Sequence, residues 1–109
     1  ILLAAEERPE PEAVTDLYVA IAGELTPARR VAAFALAAEA RRASVPTQME
    51  LAGRSLKGQF KQAARLRARY VAVLGDEGIE LKDMESGEQE PVESASGVVA
   101  RVLRGRHPA

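Results

Sequence analysis

The residues best suited to binding chemistry are basic side chains between positions 54 and 65. Lys57, Lys61 and Arg65 are spaced i, i+4 and i+8, which places them along one flank of a helix. Arg54 extends this row beyond the start of the helix, where free backbone amides already favour anions. A row of this kind is suited to phosphate groups, as in a nucleic-acid backbone.

Polar side chains beside this row could add contacts to bases. Gln59 and Gln62 carry amides that can pair with base edges or sugar hydroxyls. Gly58 costs the helix about 1 kcal/mol relative to alanine, so we expect a neighbouring strand or a nucleic-acid backbone to approach it closely. The candidate binding residues are Arg54, Ser55, Lys57, Gln59, Lys61, Gln62 and Arg65.

The net charge of −1 conceals a strong segregation along the chain. Residues 41–70 contain eight basic residues and a single acid, Glu50, so this block carries +7. Residues 71–93 contain Lys82 and eight acids, so the next block carries −7. The basic block favours an anionic partner. The alternative, which charge alone leaves open, is a solvated helical face balanced by the acidic segment.

Most enzyme chemistries lack their residues in this sequence. The absence of cysteine excludes thiol catalysis, disulfides and cysteine-based metal sites. His107 is the single histidine, which leaves no Ser-His-Asp triad and no multi-histidine metal site. Neither G-x-G-x-x-G nor G-x-x-x-x-G-K occurs, so nucleotide-phosphate binding has no support. We therefore expect the 109 residues to have no catalytic activity of their own.

Hydrophobic patterns predict the elements that position the basic row. The continuously apolar runs at 17–22 and 70–74 are typical of strands buried on both faces, as in a parallel sheet. Thr26 followed by Pro27 predicts a helix that continues to about residue 43. The residues predicted to turn this helix to the core are Val31, Phe34, Ala35 and Ala38.

The remaining elements follow from the same reasoning. A short strand is predicted at 47–51, and Ser55 caps a helix to about Ala68 with Leu56, Phe60 and Ala63 inward. A hairpin follows from residue 79, and a last helix begins at Ser94. The order β-α-β-α-β-β-β-α predicts an α/β fold in three layers, a mixed sheet of about five strands flanked by three helices.

The first twelve residues are predicted to precede this domain. Pro9 and Pro11 predict a stiff linker after a short helical segment, so the domain is expected to span residues 13–109. The longest apolar runs have about eight residues against the roughly 20 that a membrane span needs. We expect no membrane partner and a cytoplasmic location.

Two motifs resemble a known family. Residues 53–77, GRSLKGQFKQAARLRARYVAVLGDE, are similar to the hallmark of the C-terminal anticodon-binding domain of histidyl-tRNA synthetases, and residues 81–89, LKDMESGEQ, resemble the hairpin that follows it in bacterial members. The resemblance covers about residues 14–105, and residues 1–7 are similar to the end of the last catalytic-core helix. The link at residues 75–78 is shorter than the acidic loop of many relatives.

The resemblance implies an anticodon-binding domain whose partner is the anticodon stem-loop of the histidine tRNA. It also implies a parent enzyme that is a homodimer and uses ATP and Mg²⁺ to attach histidine to tRNA, whereas this chain itself holds no cofactor. Lys57, Lys61 and Arg65 are expected to contact phosphates, and Arg54 and Gln59 to read the anticodon. Two alternatives remain open: a synthetase-like paralogue without aminoacylation, and a regulatory or dimerisation module.

Overall fold

The computed structural model describes residues 15–50 and 52–106. The strands are β1 (Leu17–Ile21), β2 (Thr47–Met49), β3 (Tyr70–Gly75), β4 (Gly78–Asp83) and β5 (Gln89–Val92). The helices are α1 (Pro27–Arg42), α2 (Leu56–Arg65) and α3 (Ala95–Arg106). The predicted α/β class, the element order and the five-stranded mixed sheet with three helices are confirmed.

The sheet has the strand order β2-β1-β3-β4-β5. β1 pairs in parallel with both β2 and β3, whereas β4 and β5 continue the sheet as antiparallel strands. The two runs predicted as central parallel strands are β1 and β3, and nearly all of their residues are buried. Side chains on both faces of these strands are apolar because helices cover both faces.

Three layers result from the alternation of side chains along β1. Leu17, Val19 and Ile21 pack on one face with residues of α1 and α3. Tyr18 and Ala20 pack on the other face with residues of α2. The basic row on α2 is therefore separated by the sheet from the surface formed by α1 and α3.

The prediction for the inward face of α1 is wrong. Val31 is 67% exposed and Phe34 is 50% exposed, and Ala35 and Ala38 are exposed as well. The residues that pack against the sheet are Ala33, Leu36, Ala37 and Ala40. The helix limits are nevertheless as expected, since the hydroxyl of Thr26 accepts a hydrogen bond from the amide of Arg29 at 3.2 Å.

Helix α2 begins as predicted but ends before Ala68. Arg67 has a positive φ of 60°, which takes the chain out of the helix. The amide of Ala68 then donates to the carbonyl of Ala63 at 2.9 Å, and both residues are buried. This is the hydrogen bond of a Schellman motif, which satisfies carbonyls that the helix end would otherwise leave free.

Some expectations fall outside the described residues. These are the helix end and linker predicted at 1–12, the last residue of the strand predicted at 47–51, and His107. Within the described part, no helix is long and apolar enough to cross a membrane. The same residues contain no group of three or more His, Cys, Asp or Glu side chains that could hold a metal ion.

Candidate nucleic-acid interface

The carboxyl ends of the three parallel strands meet at one edge of the sheet. β1 leads to Gly23, β2 leads to Glu50 and β3 leads to Asp76. Helices α1 and α2 each follow one of these strands, so both begin at this edge and on opposite faces. In open α/β sheets, ligands bind at the carboxyl edge where the strand order reverses, which here is beside β1.

A buried carboxylate organises the start of α2. Glu50 is 1% exposed and its Oε1 accepts hydrogen bonds from the Tyr18 hydroxyl at 2.8 Å and from Nη1 of Arg54 at 2.9 Å. Its Oε2 accepts from the backbone amides of Ala52 at 2.8 Å and Arg54 at 3.1 Å. Three of these bonds hold the segment before α2 at the carboxylate, and the fourth anchors the carboxylate to β1 through Tyr18. The arrangement explains how an ionised group is tolerated inside the domain.

These contacts set the charge state of the buried pair. Burial by itself would raise the pKa of Glu50, but hydrogen bonds from the Arg54 amide, the Tyr18 hydroxyl and the Ala52 amide outweigh it and lower that pKa. Burial, followed by the hydrogen bond to Glu50, raises the pKa of the Tyr18 phenol. Glu50 is therefore an anion at neutral pH and remains ion-paired with Arg54 there.

Arg54 is held at the N-terminus of α2 with part of its side chain in solvent. The side chain is 42% exposed although Nη1 is bound to Glu50. A Cβ at Gly58 would lie 3.4 Å from the Arg54 Cβ and 3.4 Å from the Ser55 Oγ. The neighbouring strand considered for Gly58 is therefore not among its nearest contacts, which come from the side chains of Arg54 and Ser55 at the start of the same helix. Ser55 itself accepts a hydrogen bond from the Gly58 amide at 3.1 Å and caps the helix.

Gln59 faces inward, which corrects its expected position among the base-contacting residues. It is 1% exposed, and its Oε1 accepts from the Ile21 amide at 2.7 Å. Its Nε2 donates to the carbonyls of Ile21 at 2.8 Å and Arg54 at 2.8 Å. β2 ends at Met49, two positions short of Ile21 in the register, so the Gln59 amide completes the hydrogen bonds of β1. Gln59 positions the site from inside and is not exposed to a ligand.

The predicted basic row lies on the outer surface of α2. Lys57, Lys61 and Arg65 are all exposed. Within residues 15–50 and 52–106, no carboxylate lies within 4 Å of either lysine ammonium group. Gln62 is half-buried, and its Oε1 accepts a hydrogen bond from Nη1 of Arg65 at 3.2 Å. The row therefore presents cationic groups to solvent beside the fixed guanidinium of Arg54.

Arg29 of α1 occupies the crevice beside β1 and was not predicted. Its Nη1 donates to the carbonyls of Ala22 at 2.7 Å and Glu24 at 3.1 Å, and its Nη2 forms an ion pair with Asp76. A Cβ on Gly23, whose φ is +82°, would lie 2.8 Å from Nη1 of Arg29. Arg29 therefore links the ends of β1 and β3 across the crevice. An arginine in the first turn of a helix, here followed directly by Arg30, gives no sequence signal for such a bridge.

Phe60 packs against the core on the inner face of α2, as predicted, but its ring is not fully buried. It is half-buried, and Nζ of Lys82 on β4 lies 4.9 Å from the ring centroid. This distance is within the range of a cation–π interaction. Lys82 is the single base in an acidic segment, and its position places one more cation on the α2 side of the sheet.

Comparison with known proteins gives consistent relatives. No protein-family model matches the chain. A histidine–tRNA ligase from Rubrobacter xylanophilus is 37% identical over 110 positions, which cover 96% of this chain and 25% of that protein. A histidine–tRNA ligase from Syntrophotalea carbinolica is 35% identical over 97 positions, 84% of this chain and 22% of that protein. The chain thus spans about a quarter of the length of these relatives, in their C-terminal region.

Solved structures agree with the sequence matches. Apo histidyl-tRNA synthetase from S. aureus superposes with a TM-score of 0.71 at 29% identity, over 93% of this chain and 31% of that one. Histidyl-tRNA synthetase from Nostoc sp. shares the fold with a TM-score of 0.73 at 21% identity, over 95% of this chain and 24% of that one. The RNA-binding domain of threonyl-tRNA synthetase from Cryptosporidium parvum shares the fold with a TM-score of 0.70 at 13% identity, over 86% of this chain and 24% of that one. The chain is therefore homologous, in sequence and in fold, to the C-terminal region of the histidine–tRNA ligases.

Proposed function

We propose that this domain binds the anticodon stem-loop of the histidine tRNA as part of a histidine–tRNA ligase. The observation that carries the proposal is the surface at the start of α2, where a fixed arginine adjoins a row of exposed cations on a chain related to these ligases. A nucleic-acid partner is favoured because the row faces solvent with no acidic partner for its lysines among the described residues.

The exposed side chains divide into two kinds. Lys57, Lys61 and Arg65 are long, cationic and evenly spaced, and such groups supply phosphate contacts that position RNA without reading its sequence. Arg54 is restrained at the carboxyl edge of the sheet, and a restrained guanidinium is suited to the edge of a base. Ser55 and Gln62 lie beside them and already make local hydrogen bonds, so they would have a minor part.

Within a full-length ligase, the domain would hold the tRNA while histidine is activated elsewhere. Activation with ATP and Mg²⁺, the transfer of histidine and assembly into a homodimer belong to this proposal for the whole enzyme. In this scheme, the described residues contribute contacts to tRNA and take no part in the activation or transfer of histidine. The rival functions share the fold. An RNA-binding paralogue would prefer a different RNA, and a dimerisation module would bind no RNA.

A charge-reversal experiment tests the proposal on the 109-residue chain. Binding of a stem-loop RNA with the histidine anticodon is measured by fluorescence anisotropy at several salt concentrations. We expect Lys61→Glu to weaken binding and to reduce the slope of log K against log salt by about one unit.

Arg42→Glu is the matched control, because Arg42 is exposed at the far end of α1, on the other face of the sheet. It carries the same change of charge and is expected to alter binding much less. Equal losses in both variants, or no binding by the wild-type chain, would contradict the proposal.

A further inference from the structure

We propose that Glu50 is a positioning residue for RNA recognition. Its buried carboxylate fixes the guanidinium of Arg54 in the orientation that distinguishes one anticodon from another. The proposal rests on the proposed function and assigns a specific task within it to a side chain that no RNA can touch.

The first support is the rigidity of Glu50 itself. The carboxylate is 1% exposed and accepts four hydrogen bonds, two on each oxygen. Two of its donors are backbone amides and a third is the hydroxyl of Tyr18, which is buried in β1. The carboxylate therefore has little freedom to move, and any group bound to it inherits a fixed position.

The second support is the geometry of Arg54. A guanidinium carries five N–H donors in a planar fork, and Glu50 engages it through Nη1. The side chain keeps 42% of its surface in solvent, so donors remain for a ligand. A fork of this kind matches two adjacent acceptors, such as those on the edge of guanine, when its plane is held still. The neighbouring lysines have no such restraint and act as point charges.

A purely structural role for Glu50 makes a different prediction. The backbone amides of Ala52 and Arg54 already bind Oε2, so Glu50 could serve only to shape the segment before α2. In that case its loss would lower stability and leave the choice between RNAs unchanged. If Glu50 instead positions Arg54, its loss removes the discrimination between RNAs.

The test measures discrimination rather than affinity. The ratio of the affinities for stem-loops with the histidine anticodon and with an altered anticodon is determined for the wild-type 109-residue chain and for Glu50→Gln, Arg54→Ala and the double variant. A partly unfolded sample lowers both affinities by the same factor, so the ratio reports only the folded protein. Leu36→Ala, which lies in the core on the other face of the sheet, controls for a loss of stability.

We expect Arg54→Ala to lower the ratio by about tenfold or more, Glu50→Gln to lower it to a similar level, and the double variant to show no further loss. Leu36→Ala should keep the wild-type ratio. The inference is overturned if Glu50→Gln keeps the wild-type ratio, if Arg54→Ala leaves it unchanged, or if the two losses multiply. If the wild-type chain does not bind the stem-loops at all, the proposed function fails; if it binds and discriminates while Glu50→Gln has no effect, only this inference fails.

Discussion

Replacing Gln59 with leucine tests the framework that supports the site. The Gln59 amide makes three hydrogen bonds inside the domain, two to the backbone of Ile21 and one to the carbonyl of Arg54. Leucine has a similar size, so the substitution removes all three hydrogen bonds without opening a large cavity. The Ile21 amide and carbonyl then lose their partner beyond the end of β2, and Ile21 is only 2% exposed.

The size of the effect follows from these contacts. An unpaired buried backbone group costs about 1–3 kcal/mol, and the variant creates two of them at Ile21. The apolar side chain returns part of this cost by its own burial, at about 0.8 kcal/mol per methylene. We therefore expect the free energy of unfolding to fall by about 2–4 kcal/mol. At a urea slope of about 1–2 kcal/mol/M, the unfolding midpoint falls by roughly 1 M or more.

The assay is urea unfolding followed by circular dichroism, with amide exchange at Ile21 as a local readout. Gln62→Leu is the matched control, because Gln62 is half-buried in the same helix and its one hydrogen bond, from Arg65, is exposed. This control should change stability by no more than about 0.5 kcal/mol. A Gln59→Leu variant as stable as the control, with the Ile21 amide still protected, would show that the Gln59 amide does not complete the hydrogen bonds of β1.

Two further predictions concern α1 and Glu50. Phe34→Ser should lower stability by less than about 1 kcal/mol because the ring is half in solvent, whereas Leu36→Ala in the core should lower it by about 2–5 kcal/mol. Thermal unfolding of both variants measures these losses. Equal losses of stability would place Phe34 in the core. The pKa of Glu50 is lowered in the folded chain, so its contribution to stability is present above its usual value of 4.5 and is lost as the pH falls through the folded value. Urea unfolding between neutral and acid pH should therefore show a smaller loss on acidification in Glu50→Gln than in the wild type, and parallel curves would contradict the lowered pKa.

Helix α1 shows where reasoning from periodicity fails. The predicted stripe begins at Val31 and the observed stripe begins at Ala33, and both follow the spacing i, i+3, i+4, i+7. Alanine fills three of the four positions in the observed stripe and two of the four in the predicted one, so the larger side chains Val31 and Phe34 favoured the wrong face. The limits of the helix were predictable because Thr26 and Pro27 are local signals that do not depend on which face is buried.

The candidate site was predictable in part. The exposed cations of α2 follow from their spacing, since Lys57, Lys61 and Arg65 lie opposite the inward positions of the helix. Gln59 occupies the i+3 position of the inward stripe that starts at Leu56, and this register was the available signal that it faces inward. Its partner could not be foreseen, because Ile21 is 38 residues away and its backbone groups on the β2 side are left unpaired only because β2 ends at Met49.

RNA binding through α2 is tested most directly by titrating isotope-labelled protein with the histidine anticodon stem-loop and following the chemical shifts of its backbone amides. If α2 is the RNA-binding surface, the largest shifts fall on residues 52–65, at the start and along the outer surface of α2. Amides along the exposed face of α1, around Val31 and Phe34, should shift little. Shifts concentrated on α1, or a spectrum unchanged by the RNA, would contradict the claim that this chain binds tRNA through α2.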